Sequence, residues 1–406
     1  MTIHRPQLLE ATPPQVKRIF QALLKKGDEA MLVGGCVRDM LCNKEITDYD
    51  FATKYLPEET QKILLQNNIK SIPTGLKHGT ITAVVDGWNF EITTLRKDIE
   101  TDGRRSTVEF VDDYYFDAAR RDFTINALDL DNSGFIHDYF GGINDLKLGK
   151  VKFIGDANKR IEEDFLRILR FFRFSCYYAQ TIDNKGLQAC VKYQNHLNKL
   201  SADRIRNEFL KTISCGKNSN VITTLSLFNQ TEISNNIFAT KLDVSSFKSL
   251  LLLEKELSLA VNSKMRFFVL VANSNSQEIA TKLNFSNADK KYFQFLAQQL
   301  SSKTLNWREL KMLLAFYEKD LVAELYLAHL ACCNGVTKEQ LPDIGKNYSL
   351  IKSFTLPQFP ITAQDLQSLG YKNEQIGNGL KLARNLWAKN NFIDGKEQLL
   401  KELKSH

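Results

Sequence analysis

The 406-residue chain is predicted to fold as an N-terminal α/β unit followed by an all-helical remainder. Three observations carry that expectation. First, Asp86-Gly87 lies between two alternating runs, Thr80–Val85 and Trp88–Thr94, and such a dipeptide is a strong two-residue hairpin signal. Second, an apolar run, Met31-Leu32-Val33, stops at Gly34-Gly35 and passes into a helix-permissive segment over 36–41, as a buried strand feeding a helix does. Third, after Ser201 nearly everything to His406 keeps a 3.6-residue rhythm, with polar breaks near 216–220, 235, 273–276 and 337–342.

Taken in order, residues 14–26 have helical periodicity, 31–33 form the buried strand, and 36–41 form a helix carrying Arg38 and Asp39. Residues 48–53 are expected to be a strand, and 57–68 a helix with Pro57 at its first turn. On the second hairpin strand Glu91 faces away from Phe90 and Ile92. The polar, charge-rich stretch 96–107 reads as a loop, 108–111 as a strand, and 116–128 as a helix holding Arg120-Arg121-Asp122. A last strand is expected at 151–154, then a long helical stretch over 155–178, with Ser201 capping the helix that follows.

Composition bounds the function without naming it. With 43% hydrophobic and 25% charged residues the chain is an ordinary globular protein. Its 54 Lys and Arg against 47 Asp and Glu give a mild +7, compatible with nucleic acid and proving nothing. Seven cysteines show no CxxC pair, and no histidine stands near them at ligand spacing. Structural zinc and a disulfide framework are therefore not expected, and free thiols suit a reducing cytosol. No apolar run reaches the ~20 residues of a membrane span, and the N-terminus lacks a signal-peptide apolar core. The expectation is a soluble cytoplasmic protein.

Candidate chemistry gathers at three places. If 48–53 is a strand, Asp48 and Asp50 point the same way. Two such carboxylates repel unless a cation sits between them, and hard oxygen ligands suit Mg²⁺. Gly34-Gly35 at a helix start would let a phosphate approach backbone amides. Together they suggest a metal-bound nucleotide, with Glu91 as a third acid. A bare DxD also occurs in loops without catalytic meaning, and Glu91 reads equally as a cross-strand salt-bridge partner. Arg120-Arg121-Asp122 cannot share one helix face, and alone reads as a solvated face with an incidental ion pair. Asp164 and Arg167 are i,i+3 neighbours if helical; they could meet the edge of a nucleobase, or form a common helix ion pair. Two signals fail. GLKHGT (75–80) lacks the Lys-Ser/Thr of a Walker loop, and His137-Asp138 among six scattered histidines does not make a phosphohydrolase site. The aromatic cluster from Phe171 to Tyr178 reads as helix core rather than as a base-stacking platform.

LVGGCVRD with DYD, RRDFTINAL and GDANKRIEEDFLRILRFFRF, in this order, resemble the class II tRNA nucleotidyltransferases (CCA-adding enzymes) and the related bacterial poly(A) polymerases. The resemblance covers roughly residues 10 to 215. It implies a polymerase-β-like nucleotidyltransferase head (1–135), a neck with a base-recognition helix (136–200), a helical body (201–290) and a helical, tRNA-binding tail (291–406). It also implies template-independent addition of C, C and A to the tRNA acceptor end from CTP and ATP, with Mg²⁺ and no protein partner.

Position by position, Asp48 and Asp50 resemble the metal ligands, with Glu91 as the third acid, and Gly34, Gly35 and Arg38 resemble the triphosphate contacts. Arg121 and Asp122 resemble the ribose-side pair. Asp164 and Arg167 match the EDxxR motif that reads the base, with Arg170 on the same helix among the nucleotide contacts. Residues 96–107, including Arg96, Asp102, Arg104 and Arg105, resemble the family's flexible loop, and ADRI (202–205) through Glu208 a more structural motif. Ala157 and Phe165 depart from the usual proline, and Cys42-Asn43 from a common Leu-Gly. The segment over 357–387 resembles the family's tail, while about 220 to 350 does not align. Poly(A) synthesis, addition of only A or only CC, and a catalytically dead RNA-binding protein are the alternatives. The family's poly(A) polymerases usually carry a further basic C-terminal extension.

Overall fold

The computed structural model describes every residue except Lys26, Asp28, Gly103, Arg104, 301–304, Asn334 and His406, and describes the backbone alone at Lys77, 98–102 and 105–107. In chain order the strands are β1 (Thr2–His4), β2 (Ala30–Val33), β3 (Asp50–Thr53), β4 (Lys70–Gly75), β5 (Thr80–Val85), β6 (Trp88–Thr94), β7 (Arg96–Asp102), β8 (Arg105–Phe110), β9 (Leu128–Leu130) and β10 (Phe135–Asp138). Eight of them form one sheet in the order β1-β10-β9-β2-β3-β6-β5-β4, and β7 and β8 form a separate hairpin. Among the described residues only the central β3–β6 pair is parallel; it sets Asp50 beside Glu91. The helices of the same unit are α1 (Pro6–Glu10), α2 (Pro14–Leu23), α3 (Gly35–Leu41), α4 (Pro57–Gln66), α5 (Tyr114–Ala119), α6 (Gly142–Lys147), α7 (Ala157–Glu163), α8 (Leu166–Tyr178), α9 (Asn184–Tyr193), α10 (Ala202–Ile213), α11 (Asn218–Gln230) and α12 (Ile233–Phe238).

The α/β head followed by helices is as expected, and so is the Asp86-Gly87 turn, where φ is +49° and +82°. Paired positive φ values are what a two-residue turn between right-twisted strands requires. The sheet's helix-covered face packs Val16, Ile19 and Leu23 of α2 and Leu64 of α4 against Leu32, Phe51, Ile81 and Ile92.

Five local expectations are corrected. Residues 96–102 and 105–107 lie in β7 and β8, where cross-strand charge pairs such as Lys97–Glu109 (3.0 Å) hide the alternation that would mark a strand. The expected helix over 116–128 ends at Ala119; Phe123 is extended and bridges Phe153, and a 3₁₀ turn, Thr124–Asn126, leads into β9. The strand expected at 151–154 reduces to that single bridge. Residues 155–178 are two helices, parted at Asp164, whose backbone is extended at φ −155° and ψ 107°. The fifth is β3, which begins at Asp50, so Asp48 stands outside the ladder.

Contacts divide the chain into two units, Met1–Ala239 and Thr240–His406. The second is helical throughout, from Val244–Glu256 to Lys396–Leu403. One of its cores packs Ile361, Leu366, Trp387, Leu399 and Leu403, and a buried pair, Arg266 Nη2 to Glu254 Oε2 (2.5 Å), ties two of its helices. Among the described residues no helix is long and apolar enough to cross a membrane. None of the seven cysteines is in a disulfide.

Candidate functional site

A cleft of about 650 Å³ opens within the first unit, lined by the start of α3, the turn after α5, the start and one face of α8, and α10. Seven arginines (38, 120, 121, 167, 170, 173 and 204) and Lys211 line it against two carboxylates, Asp122 and Asp164. Such an excess of fixed cations suits a polyanion.

On the α3 side, Arg38 is buried and donates from Nε (3.1 Å) and Nη2 (2.7 Å) to Asp39. Its guanidinium lies between two rings of α8, with Cζ 4.4 Å from the Tyr178 centroid and 5.1 Å from that of Phe174. Tyr178 completes the brace by donating to Asp39 Oδ1 (2.5 Å). Gly34 has φ +74°, and a Cβ there would lie 2.2 Å from Arg121 Nη1. The space that glycine opens on its Cβ side is thus filled by a guanidinium.

Beyond α5 the three consecutive charges divide in two directions. Arg120 and Arg121 both bind Asp117, at 2.8 and 3.1 Å. Arg121 Nη1 also donates to the Asn126 carbonyl (3.1 Å). Asp122 turns the other way and accepts from Arg170 Nε (2.6 Å), Asn126 Nδ2 (2.9 Å) and the Phe123 amide (3.0 Å). Burial alone would raise the Asp122 carboxyl; Arg170 and these donors hold it below its usual range.

At the α7–α8 break, Asp164 Oδ1 accepts from the Leu166 amide (3.0 Å) and Oδ2 from Arg204 Nη2 (2.6 Å). Asp164 and Arg167 are not a helix ion pair. Arg167 instead binds Glu163, the Arg160 carbonyl (2.8 Å) and the Arg120 carbonyl (3.2 Å). Both side chains are oriented by partners other than each other. Further along, Arg173 Nε donates to Glu208 of α10 (2.6 Å).

Gly34, Gly35, Arg38, Arg121, Asp122, Asp164, Arg167 and Arg170 therefore share the one cleft. Asp48, Asp50 and Glu91 lie beside it and not in its lining. Asp48 is exposed, the intervening Tyr49 buried and Asp50 half-buried. Burial pushes the Asp50 carboxyl up to about 6, with Glu91 and Asp48 adding like charge and Arg121 opposing. Arg96, on β7, donates to the His78 carbonyl and does not line the cleft. Asp102 and Arg105 face each other across the hairpin ladder, and Arg104 lies outside the described residues.

Sequence reasoning missed Asn126, Arg173, Arg204, Lys211 and the brace at Tyr178. A signal existed for some of them. Arg167, Arg170, Phe174 and Tyr178 recur at i,i+3 and i,i+4 and so share a helix face. Of the aromatic cluster, Phe171 and Phe172 are core (0% exposed), whereas Phe174, Tyr177 and Tyr178 also line the cleft.

Residues 30–152 match the family model described as the poly A polymerase head domain, and 181–231 the one described as a probable RNA and SrmB-binding site of polymerase A. This fold and charged cleft are those of a nucleotidyltransferase. The mitochondrial CCA tRNA nucleotidyltransferase 1 of Danio rerio is 33% identical over 95% of this chain and 88% of its own. The Homo sapiens enzyme of that name is 31% identical over 100% and 93%. Among solved structures, the Bacillus stearothermophilus CCA-adding enzyme in complex with CTP superposes with a TM-score of 0.76 at 22% identity, covering 97% and 98%. The Thermotoga maritima CCA-adding enzyme complexed with tRNA superposes with a TM-score of 0.67 at 19% identity, covering 100% and 99%. The chain belongs to the class II CCA-adding nucleotidyltransferases. Enzymes of this fold generally use divalent metal ions.

Proposed function

We propose that this enzyme adds C, C and A to the 3′ end of tRNA from CTP and ATP without a nucleic-acid template. The observation that carries the reading is the single cleft in which the phosphate-side arginine faces a separately braced carboxylate and guanidinium. Arg38 takes the triphosphate, and Arg121 and Asp122 take the ribose side. At the base, Asp164 accepts and Arg167 donates. Cytosine and adenine both present an amino donor beside an unprotonated ring nitrogen, whereas uracil and guanine present the reverse, so one couple serves C and A. Asp164 has accepted two hydrogen bonds of the roughly four a carboxylate can take, which leaves room for the base.

Asp48 and Asp50, with Glu91 adjacent, fit a divalent metal, taken here as Mg²⁺. A carboxyl raised by burial and by neighbouring like charge regains its charge when a cation is shared. Among the described residues no group of three or more His, Cys, Asp or Glu is placed to hold a metal ion, so the proposed ion would rest on the two aspartates and complete its shell with substrate phosphates. The chemistry supplied there, when metal is bound, is acidification of the tRNA 3′-hydroxyl and shielding of the leaving pyrophosphate. The protein's own part is to align that hydroxyl with the α-phosphate and to fix the base. We place the reaction in the cytoplasm, since free thiols suit a reducing compartment.

The test uses tRNA ending at the discriminator base and tRNA ending in CC, each with the four labelled nucleotides and Mg²⁺. Growth of the first by three residues, requiring both CTP and ATP, is the expected result. A long A ladder, arrest at CC, growth only from the CC end, or no growth would each overturn it.

A further inference from the structure

We propose that Asn126 is a positioning residue that holds the triphosphate-side arginine and the sugar-side carboxylate at a fixed separation, and so governs nucleotide affinity and the preference for ribose. This rests on the function proposed above. Asn126 closes the 3₁₀ turn after Phe123 and is 7% exposed. Its Oδ1 accepts from Arg38 Nη1 (2.5 Å) and its Nδ2 donates to Asp122 Oδ1 (2.9 Å). Its backbone carbonyl accepts from Arg121 Nη1 (3.1 Å). One short residue thus touches three candidate nucleotide contacts.

The amide's orientation is forced: a guanidinium can only donate and an ionised carboxylate can only accept. Few other side chains could fill the place, because a short branch must offer an acceptor to one side and a donor to the other. Arg38 and Asp122 carry opposite charge, and without the intervening amide they would be drawn together across the mouth of the cleft. Such a pair would cover the phosphate side and spend the lone pair that Asp122 keeps for the sugar. Counting shows that lone pair: Oδ1 accepts two hydrogen bonds and Oδ2 one, leaving a single acceptor position, the right number for a 2′-hydroxyl.

The test compares Asn126→Ala and the nearly isosteric Asn126→Asp with the wild type, by steady-state incorporation of CTP, ATP and dCTP into tRNA and by equilibrium binding of CTP and dCTP. Hydrogen bonds to charged groups set the scale: in Asn126→Ala the KM for CTP and ATP should rise about tenfold or more while that for tRNA stays unchanged. Asn126→Asp keeps the acceptor for Arg38 and loses the donor to Asp122, so its KM should rise less while its CTP-over-dCTP preference falls about as far as in the alanine variant. If Asn126→Ala does not fold, the aspartate variant alone decides through that preference. Unchanged KM and unchanged sugar preference would overturn the inference, and so would equal rises for nucleotide and tRNA, which indicate general loosening. A wild type that adds no CCA defeats the proposed function instead; the two binding curves would still report on Asn126.

Discussion

Alanine at position 34 should disable the enzyme by displacing a side chain nearly ninety residues away. Gly34 sits at φ +74° and ψ −118°, a conformation that costs a residue with a Cβ on the order of 1–3 kcal/mol. The new methyl would also lie 2.2 Å from Arg121 Nη1 and 3.6 Å from the Asn126 carbonyl. Arg121 cannot step aside freely, since it is held by Asp117 (3.1 Å) and by that carbonyl (3.1 Å). Losing such a charged hydrogen bond costs roughly 1.5–3 kcal/mol. Taking about 3 kcal/mol for the two effects together, the melting temperature should fall by roughly 6–12 °C. Thermal unfolding of Gly34→Ala, Arg121→Ala and the double variant separates them. Once Arg121 is gone only the backbone cost remains, so the two substitutions should couple by more than about 1 kcal/mol. Additive costs would refute the account, because they would mean that the methyl never meets the guanidinium.

Two further outcomes are expected. Arg204→Met frees Asp164 from its 2.6 Å partner; the ratio of UTP to CTP incorporation should rise about tenfold, and an unchanged ratio in a folded variant would remove Arg204 from base selection. Asp129, on β9, is buried, and one of its oxygens has no hydrogen-bond partner among the described residues. Burial, with Arg121 opposing and Asp117 adding, pushes its carboxyl from 3.8 up to about 7. A raised carboxyl favours the fold while protonated, so its contribution is full at low pH and is lost as pH climbs through about 7. Asp129→Asn should therefore gain stability relative to wild type between pH 5 and pH 8; a difference in melting temperature that does not move with pH would sink the assignment.

The parts of the fold legible in the sequence were those written by local rules. The Asp86-Gly87 turn, the strand ending at Gly34-Gly35 and the Pro57 helix start each depend on a few adjacent residues, and each is where periodicity and turn chemistry put it. The helix expected over 116–128 failed because its charges answer to distant partners. Arg160 donates to the Arg121 carbonyl and Arg170 to Asp122, and those contacts dictate a turn that propensity alone would not choose. Asp164 is similar: its extended backbone is fixed in part by Arg204, forty residues on. The strands β7 and β8 were hidden because charge on a strand erases the alternation that marks it. In the site, the motif residues from Gly34 to Arg170 were legible, whereas Asn126, Arg173, Arg204 and Lys211, and the pairings of all of them, were not. Motif spacing places Arg167 near Asp164, but only the folded chain gives Arg167 to Glu163 and Asp164 to Arg204.

The bracing of Arg38 by Phe174 and Tyr178 bears on how such enzymes can be recombined. A chimera that exchanged the first 150 residues with those of a relative would import an arginine at position 38 without the rings that hold it in place. Head and α8 therefore form a single inheritable module, and the natural seam for grafting lies after the helix that carries those rings. Moving that larger piece intact would keep the cleft whole, whereas a cut through the turn at Gly155 would leave Arg38 and its supporting rings in different parents.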